Sequence, residues 1–93
     1  MKTLVIVTGS IVYCMDDIQR LTGSNPRLKG VQYVTDRESL NRVCGLENFR
    51  FIVWGPFAPS GNLTDVHAHL LAARGVEVKT LAEGLVWLLS PGA

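Results

Sequence analysis

Two short runs of purely apolar residues most constrain how this chain can fold. Residues 4–7 are Leu-Val-Ile-Val and residues 51–54 are Phe-Ile-Val-Trp. Continuous runs of this kind are typical of strands that are covered on both faces of a parallel sheet. The second run meets a turn-rich loop, residues 55–61, and then a helical pattern that ends at Gly75. A buried strand, a long loop and a helix are therefore expected within residues 49–75.

A first helix is predicted between the first apolar run and Gly23. Ser10 is a candidate N-cap and Gly23 a candidate C-terminal stop. A start near Asp16 is the alternative, because aspartates are favoured in the first turn of a helix. The inward face is formed by apolar residues three and four apart, namely Ile11, Cys14, Met15, Ile18 and Leu21.

The next strand and helix are predicted over residues 31–45. Residues 31–34, Val-Gln-Tyr-Val, alternate apolar and polar up to the last valine, which indicates a strand near a sheet edge. Thr35 and Glu38 have the spacing of a capping box, and Gly45 stands where a left-handed residue would end the helix. Asp36 lies where some dinucleotide sites keep a ribose-binding acid, but a helix-start role is simpler without the glycine fingerprint. The inward residues are Leu40, Val43 and Cys44.

The third helix is predicted to begin at Ser60 or Asn62 and to run to Arg74, with Gly75 ending it. Its inward residues are Leu63, Val66, Leu70 and Ala73. Residues 76–81 alternate cleanly and predict a second edge strand.

The last helix is predicted to begin at a second capping box, formed by Thr80 and Glu83. It ends before residues 91–92, Pro-Gly. Its inward face comprises Leu81, Leu85, Leu88 and Leu89.

The alternation of four strands with four helices predicts a single three-layer α/β domain, Rossmann-like or flavodoxin-like, with a four-stranded parallel sheet. The two doubly buried strands belong in the middle and the two alternating strands at the edges, which gives the strand order 2-1-3-4. In this order the chain reverses direction across the sheet between strands one and three. A crevice for a ligand is expected there, at the carboxyl ends of those strands.

The length and charge of the chain limit its partners. The 93 residues, 47% of them apolar, suffice for one compact core. The formal net charge of +1 argues against nucleic acid and against an anionic membrane surface as partners. No apolar segment approaches the roughly 20 residues of a membrane span, and no signal peptide is recognisable. Cys14 and Cys44 lack metal-site spacing, so reduced thiols and a cytoplasmic location are expected.

Two glycine-containing loops flank the expected crevice and form the candidate ligand site. They contribute Thr8, Gly9 and Ser10 after the first strand, and Gly55, Ser60, Gly61 and Asn62 after the third. Backbone N–H groups at the two helix starts would favour a small anion such as a phosphate, a nucleotide or a carboxylate. The alternative is that these residues only close strand-to-helix turns, since neither loop contains Lys or Arg.

The sequence contains no recognisable catalytic group, cofactor site or metal site. His67 and His69 are two apart on a helix and so point in different directions, and His69 can meet Asp65 one turn back. Cys14 could be a nucleophile, but a helix starting at Ser10 would point its thiol into the core.

Aromatic residues suggest a protein-binding surface. Trp87 falls off the apolar face of the last helix and Phe57 lies in the long loop, so both are candidate interface residues. For Trp54, burial is preferred. The partner would be an unidentified protein or a second copy of the chain.

Length and element order, with an apolar third strand ending in Gly55 and Pro56, resemble the cellobiose-type IIB phosphocarrier domains of the sugar phosphotransferase system. That resemblance implies that this chain has the same fold as those domains. The phosphorylated cysteine of those domains immediately follows strand one, where this chain has Thr8-Gly9-Ser10 and the nearest cysteine is Cys14.

The chain also resembles small SLOG-type nucleotide-binding proteins in two segments. Residues 5–10 resemble their first strand and loop, and residues 55–61 followed by 72–78 resemble their second glycine loop, helix and strand. Residues 31–48 are an insertion between the two segments. In its small size, its nearly neutral charge and its lack of a catalytic signature, the chain is also similar to small accessory proteins of actinobacterial phages. The expected function is that of a non-enzymatic interaction protein, and the phage resemblance implies a host factor as its target. The alternatives are a nucleotide or phosphate binder and, third, a IIB-like phosphocarrier.

Overall fold

The computed structural model describes residues 2–23, 29–55 and 65–91. In these described residues, four strands alternate with four helices along the chain. In chain order these are β1 (Thr3–Val7), α1 (Ile11–Thr22), β2 (Val31–Val34), α2 (Arg37–Val43), β3 (Phe49–Val53), α3 (Val66–Ala72), β4 (Val76–Glu77) and α4 (Leu81–Leu89). The strands form one parallel sheet in the order β2-β1-β3-β4. The predicted fold class and strand order are confirmed.

Two apolar clusters cover the two faces of the sheet and create its three layers. On one face, Val5, Val7 and Phe51 pack with residues of α2 and α3. On the other, Leu4, Ile6 and Ile52 pack with residues of α1 and α4. Because successive strand residues point to opposite faces, the continuous apolar runs of β1 and β3 supply both clusters.

The fourth strand is shorter than predicted. Only Val76 and Glu77 form it, and they pair with Arg50 and Phe51 of β3. The chain must leave the sheet early because Thr80 is the N-cap of α4. Val53, at the far end of β3, lies beyond this pairing and is exposed.

Helix α1 begins directly after Ser10, as one of the two predicted starts requires; the start near Asp16 is wrong. It ends at Gly23, which is left-handed with φ 68° and donates its N–H to the Gln19 carbonyl. Cys14 and Ile18 are buried as predicted. Leu21 is exposed and not in the core, because it lies in the last turn, beside a gap between α1 and α4.

Helix α2 has a capping box one residue later than predicted. The Asp36 carboxylate accepts the Ser39 N–H at 2.9 Å, and the Ser39 hydroxyl accepts the Asp36 N–H at 3.1 Å. Glu38 is instead bonded to Arg42 one turn ahead, at 2.7 Å. Leu40 and Val43 are buried as predicted, and Cys44 is half-buried. The left-handed conformation expected at Gly45 is wrong, because the helix ends at Cys44 in a right-handed conformation.

Helix α3 is described from Val66, so the predicted start at Ser60 or Asn62 and the inward Leu63 lie outside the described residues. Val66 and Leu70 are buried as predicted. The left-handed residue at its end is Arg74, with φ 68°.

Helix α4 starts at Thr80, whose hydroxyl accepts the Glu83 N–H at 3.1 Å. The Glu83 carboxylate accepts the N–H of Lys79, and not that of Thr80 as a capping box would require. The inward residues Leu81 and Leu85 are buried. The predicted inward position of Leu89 is wrong, because this side chain is exposed beside the same gap between α1 and α4. None of the helices in the described ranges has the length and apolar character of a membrane span.

Candidate functional site

The crevice is predicted at the carboxyl ends of β1 and β3, which are neighbours in the sheet. Val7 and Val53, the last residues of β1 and β3, are register partners, and the Trp54 N–H donates to the Val7 carbonyl at 2.8 Å. The carboxyl ends of these two strands therefore lie side by side. The predicted ligand residues Ser60, Gly61 and Asn62 lie outside the described residues, as does Phe57.

Thr8 holds the first loop together. Its side chain is fully buried, and its N–H donates to the Val34 carbonyl at 3.0 Å. Its hydroxyl accepts the Ser10 N–H at 3.1 Å and donates to the Ser10 carbonyl at 3.3 Å. Both hydrogen-bonding functions of Thr8 thus serve the turn, so Thr8 positions the loop and is not placed to contact a ligand.

Gly9, Ser10 and Gly55 are the predicted ligand residues that remain at the surface. Gly9 and Gly55 are exposed, and Gly55 is left-handed with φ 79°. The Ser10 side chain makes no hydrogen bond to the first turn of α1. Ser10 therefore does not cap α1 with its side chain, and the side chains beside it, Val12 and Tyr13, are exposed and apolar or aromatic.

Cys14 is a core residue and not a nucleophile. Its side chain is fully buried on the sheet side of α1. Burial, with a smaller effect from Asp17, raises the pKa of the thiol to about 12. Since the thiolate is the reactive form, the Cys14 thiol is expected to be unreactive near neutral pH.

Tyr33 is a buried polar group that the alternating pattern of β2 did not reveal. Its hydroxyl oxygen is buried without a hydrogen-bond partner among the described residues. Burial, and then the nearby Cys14, raises the pKa of this phenol to about 12. Tyr33 and Cys14 therefore both keep their protons near neutral pH.

The two histidines lie in separate polar contacts. His69 Nδ1 is 3.2 Å from the Asp65 carboxylate, as predicted, and Arg37 binds the same carboxylate at 3.0 Å. The hydrogen bond from Arg37 is the main cause that lowers the pKa of Asp65. His67 instead contacts the Glu77 carboxylate. Within the described ranges no group of three potential metal ligands comes together.

Trp87, a predicted interface residue, is partly covered by two cations. The Arg50 guanidinium carbon lies 4.9 Å and Lys2 Nζ 5.5 Å from the ring centroid. Lys2 Nζ also donates to the carbonyls of Trp87 and Ser90, both at 2.8 Å. Trp54 is half-buried against the core, in line with its preferred burial. Trp87 thus contacts Lys2, which precedes β1, and Arg50 of β3, and it offers less free apolar surface than predicted.

An apolar groove lies between the end of α1 and the side of α4 and is here called the α1–α4 groove. Its volume is about 490 Å³. Three of its side chains are more than half exposed: Leu21 at 52%, Val86 at 68% and Leu89 at 56%. The lining residues are Leu21 and Thr22 from α1, with Ala82, Leu85, Val86, Leu89 and Ser90 from α4.

The described lining of the α1–α4 groove is mainly apolar. None of the residues described as lining it is charged. The Thr22 hydroxyl donates to the Ile18 carbonyl at 2.8 Å, and the Ser90 hydroxyl donates to the Val86 carbonyl. The two hydroxyls are therefore occupied by the backbone of their own helices.

Sequence reasoning missed this groove because it assigned Leu21 and Leu89 to the core. Helical spacing shows which residues share a face, but not whether a neighbouring element covers the whole of that face. One signal was present in the sequence. Glu83 is the only charged residue in α4, whereas a helix on a protein surface normally has a polar outer face.

Comparisons of the chain with protein-family models, with curated proteins and with solved structures each found no match.

Proposed function

We propose that this protein is a non-enzymatic interaction domain that binds another protein chain through the α1–α4 groove. The supporting observation is the exposure of Leu21, Val86 and Leu89 around one depression in whose described lining no residue is charged. Contiguous exposed apolar surface of this kind is typical of binding sites and rare elsewhere on monomeric proteins.

The state of the reactive side chains supports a binding role over a catalytic one. The Cys14 thiol is buried and protonated, and the Thr8 hydroxyl is used within its own turn. His67 and His69 each contact a different carboxylate. No nucleophile with an adjacent base is formed among these groups.

The groove can supply useful binding energy. Full burial of a Val or Leu side chain is worth about 1.5–3 kcal/mol, so completing the burial of a half-covered one contributes roughly 1 kcal/mol. Leu21, Val86 and Leu89 together would then favour binding by about 3 kcal/mol, before the costs of association.

Affinity capture with a matched pair of variants tests this proposal. The tagged chain is co-expressed with an untagged copy and captured from the lysate of the cell that makes it. Val86→Glu puts a charge into the groove, whereas Val12→Glu puts the same charge on a similarly exposed valine of α1 outside it. A captured protein, whether the untagged copy or another, should be retained by the wild type and Val12→Glu and lost with Val86→Glu. Capture that does not depend on Val86 would overturn the proposal.

A second candidate function is the binding of a small anionic ligand, such as a nucleotide or sugar phosphate, at the crevice. It is favoured by the start of α1, where the Ser10 side chain makes no capping hydrogen bond, close to the paired ends of β1 and β3. A ligand at a thousandfold excess over its Kd would stabilise the protein by about 4 kcal/mol. A panel of nucleotides and sugar phosphates that leaves the melting temperature unchanged would rule this candidate out. A phosphocarrier role is disfavoured by the burial of Cys14.

A further inference from the structure

We propose that Lys2 and Arg50, which meet at the Trp87 ring, form a binding site for a small oxyanion, the carboxylate or phosphate group of a ligand. The site lies at the amino ends of β1 and β3, because Lys2 precedes β1 and Arg50 is the second residue of β3. It is therefore separate from the crevice, which is predicted at the carboxyl ends of the same strands. None of its three residues is in the described lining of the α1–α4 groove, so this site goes beyond the proposed function and does not depend on it.

The fold brings the two cations together on one face of the sheet. Leu4 of β1 and Arg50 of β3 are register partners, and Leu4 belongs to the apolar cluster beneath α1 and α4. Helix α4 packs directly on this part of the sheet, since a β-carbon at Gly84 would lie 2.8 Å from Leu4 Cδ1. Trp87 follows three residues later in α4, and its ring centroid is 4.9 Å from the Arg50 guanidinium carbon and 5.5 Å from Lys2 Nζ. Two positive charges are thus held beside one aromatic ring.

No described carboxylate forms an ion pair with either of these cations. Both Lys2 and Arg50 are nevertheless half-buried, whereas Arg74, which also lacks a described ion pair, is exposed. Like charges that are partly buried repel each other more strongly than exposed ones, because water and salt screen them less. An anion between Lys2 and Arg50 would remove this repulsion. The other described arginines are already paired with carboxylates at 2.7–3.0 Å, namely Arg20 with Asp16, Arg37 with Asp65 and Arg42 with Glu38.

The N–H groups that remain on these two side chains suit an oxyanion. The guanidinium of an arginine carries its donors in a planar fork that matches two oxygens of a carboxylate or a phosphate. Among the described residues, the Arg50 guanidinium contacts the Trp87 ring and makes no hydrogen bond. Lys2 Nζ donates to the carbonyls of Trp87 and Ser90, both at 2.8 Å, and an ammonium group has one further N–H to offer. The ring and the two carbonyls hold the cations in place, so little order has to be created when an anion binds.

The surroundings of the site limit the ligand to a single small anionic group. The net charge of +1 creates no long-range field that would gather a polyanion, so the attraction is confined to the two side chains. The carbonyls at the end of α4 carry partial negative charge, but Lys2 already occupies two of them. The half-buried Trp87 ring lies beside the cations and offers a surface for the apolar part of a ligand.

Two-dimensional NMR during titration with inorganic phosphate, and separately with acetate, tests the site at constant ionic strength. The indole N–H signal of Trp87 should shift and saturate in the wild type. Tighter binding of phosphate than of acetate would identify a phosphate group as the ligand, and the reverse a carboxylate. Arg50→Gln should raise the Kd by about tenfold or more, because charge-assisted hydrogen bonds are lost. Arg74→Gln is the matched control, since it removes the same charge from an exposed arginine elsewhere and should bind as the wild type does.

Circular dichroism checks that each variant is folded. If Arg50→Gln does not fold, Arg50→Lys replaces it; this variant keeps the charge, loses the fork and should still raise the Kd by about threefold or more. Three results would overturn the site: no saturable shift of the Trp87 signal with either anion, a Kd that the Arg50 variant leaves unchanged, or an equal loss in Arg74→Gln. Saturable shifts confined to the amides of Gly9 and Ser10 would also overturn it, and would place the anion in the crevice instead.

Discussion

The backbone of Gly75 lies against the ring of Phe49, so that a β-carbon at Gly75 would be 2.5 Å from Cε2 of that ring. The same β-carbon would be 2.9 Å from the Leu70 carbonyl oxygen. Gly75 is not left-handed, so its absence of a side chain, and not its backbone freedom, is what this position requires. The close approach brings the end of α3 onto β3.

Gly75→Ala is therefore expected to destabilise the fold. Neither the buried Phe49 ring nor the Leu70 backbone can move away easily, and overpacking of this kind costs about 1–3 kcal/mol. Urea unfolding followed by circular dichroism measures the change. Gly45→Ala is the matched control, because a β-carbon there meets no described atom within 4 Å. Equal stability of the two variants would contradict the packing described for Gly75.

Asp36→Ala should destabilise the protein at neutral pH, and the effect should fade in acid. The pKa of Asp36 is lowered chiefly by the Ser39 N–H and then by the Ser39 hydroxyl. A lowered pKa in the folded state means that the carboxylate stabilises the fold fully above its ordinary pKa of 3.8. That contribution is lost as the pH falls through the lowered value.

Chemical denaturation of the wild type and Asp36→Ala between neutral and strongly acidic pH checks this prediction. The difference in unfolding free energy should be largest at neutral pH and should decrease below the ordinary pKa of an aspartate. A difference that grows in acid would show that the charged form is not the stabilising one.

The two cysteines should differ sharply in reactivity. Cys14 is fully buried with a pKa of about 12, whereas Cys44 is half-buried. A thiol reagent at mildly alkaline pH should modify Cys44 in the native protein and reach Cys14 only after unfolding. Mass spectrometry of the digested protein assigns the sites, and Cys44→Ser should abolish the fast reaction. Fast native modification at Cys14 would restore the phosphocarrier hypothesis.

Lys2→Ala should loosen the end of α4. Lys2 Nζ donates to two carbonyls at the end of this helix and lies over the Trp87 ring. A cation near a helix C-terminus and a half-exposed cation–π contact are each worth about 0.5–1 kcal/mol. Unfolding free energy measures the loss, and raised amide exchange at Ser90 would locate it. Lys79→Ala is the control, because the bond described for Lys79 comes from its backbone N–H; an equal loss there would argue against a specific role for Lys2.

The strand order of the sheet could be predicted because the pattern of apolar residues in each strand shows whether one face or both faces of that strand are buried. The apolar runs in β1 and β3 required central positions, and the alternation at Val31 and Val76 required edges. Capping was less predictable. Two possible capping boxes overlap in the sequence, Thr35 with Glu38 and Asp36 with Ser39. Only the hydrogen bonds in the structure show that the second one forms.

The candidate sites could be predicted only in part. The adjacency of the carboxyl ends of β1 and β3 follows from strand order alone. The exposure of Leu21 and Leu89 does not, because it depends on how far apart α1 and α4 lie over the sheet, and no local pattern encodes that distance. The cations around Trp87 come from residues 2 and 50, which are also distant in sequence.

The close contact between Gly84 and Leu4 has a consequence for biosynthesis. Strand β1 leaves the ribosome well before α4, the helix that covers one of its faces. Until α4 emerges, Leu4 and Ile6 lack much of their cover, and the nascent chain exposes an apolar sheet surface to water and to chaperones. Folding of this domain is therefore expected to wait until α4 has been synthesised and has left the ribosome.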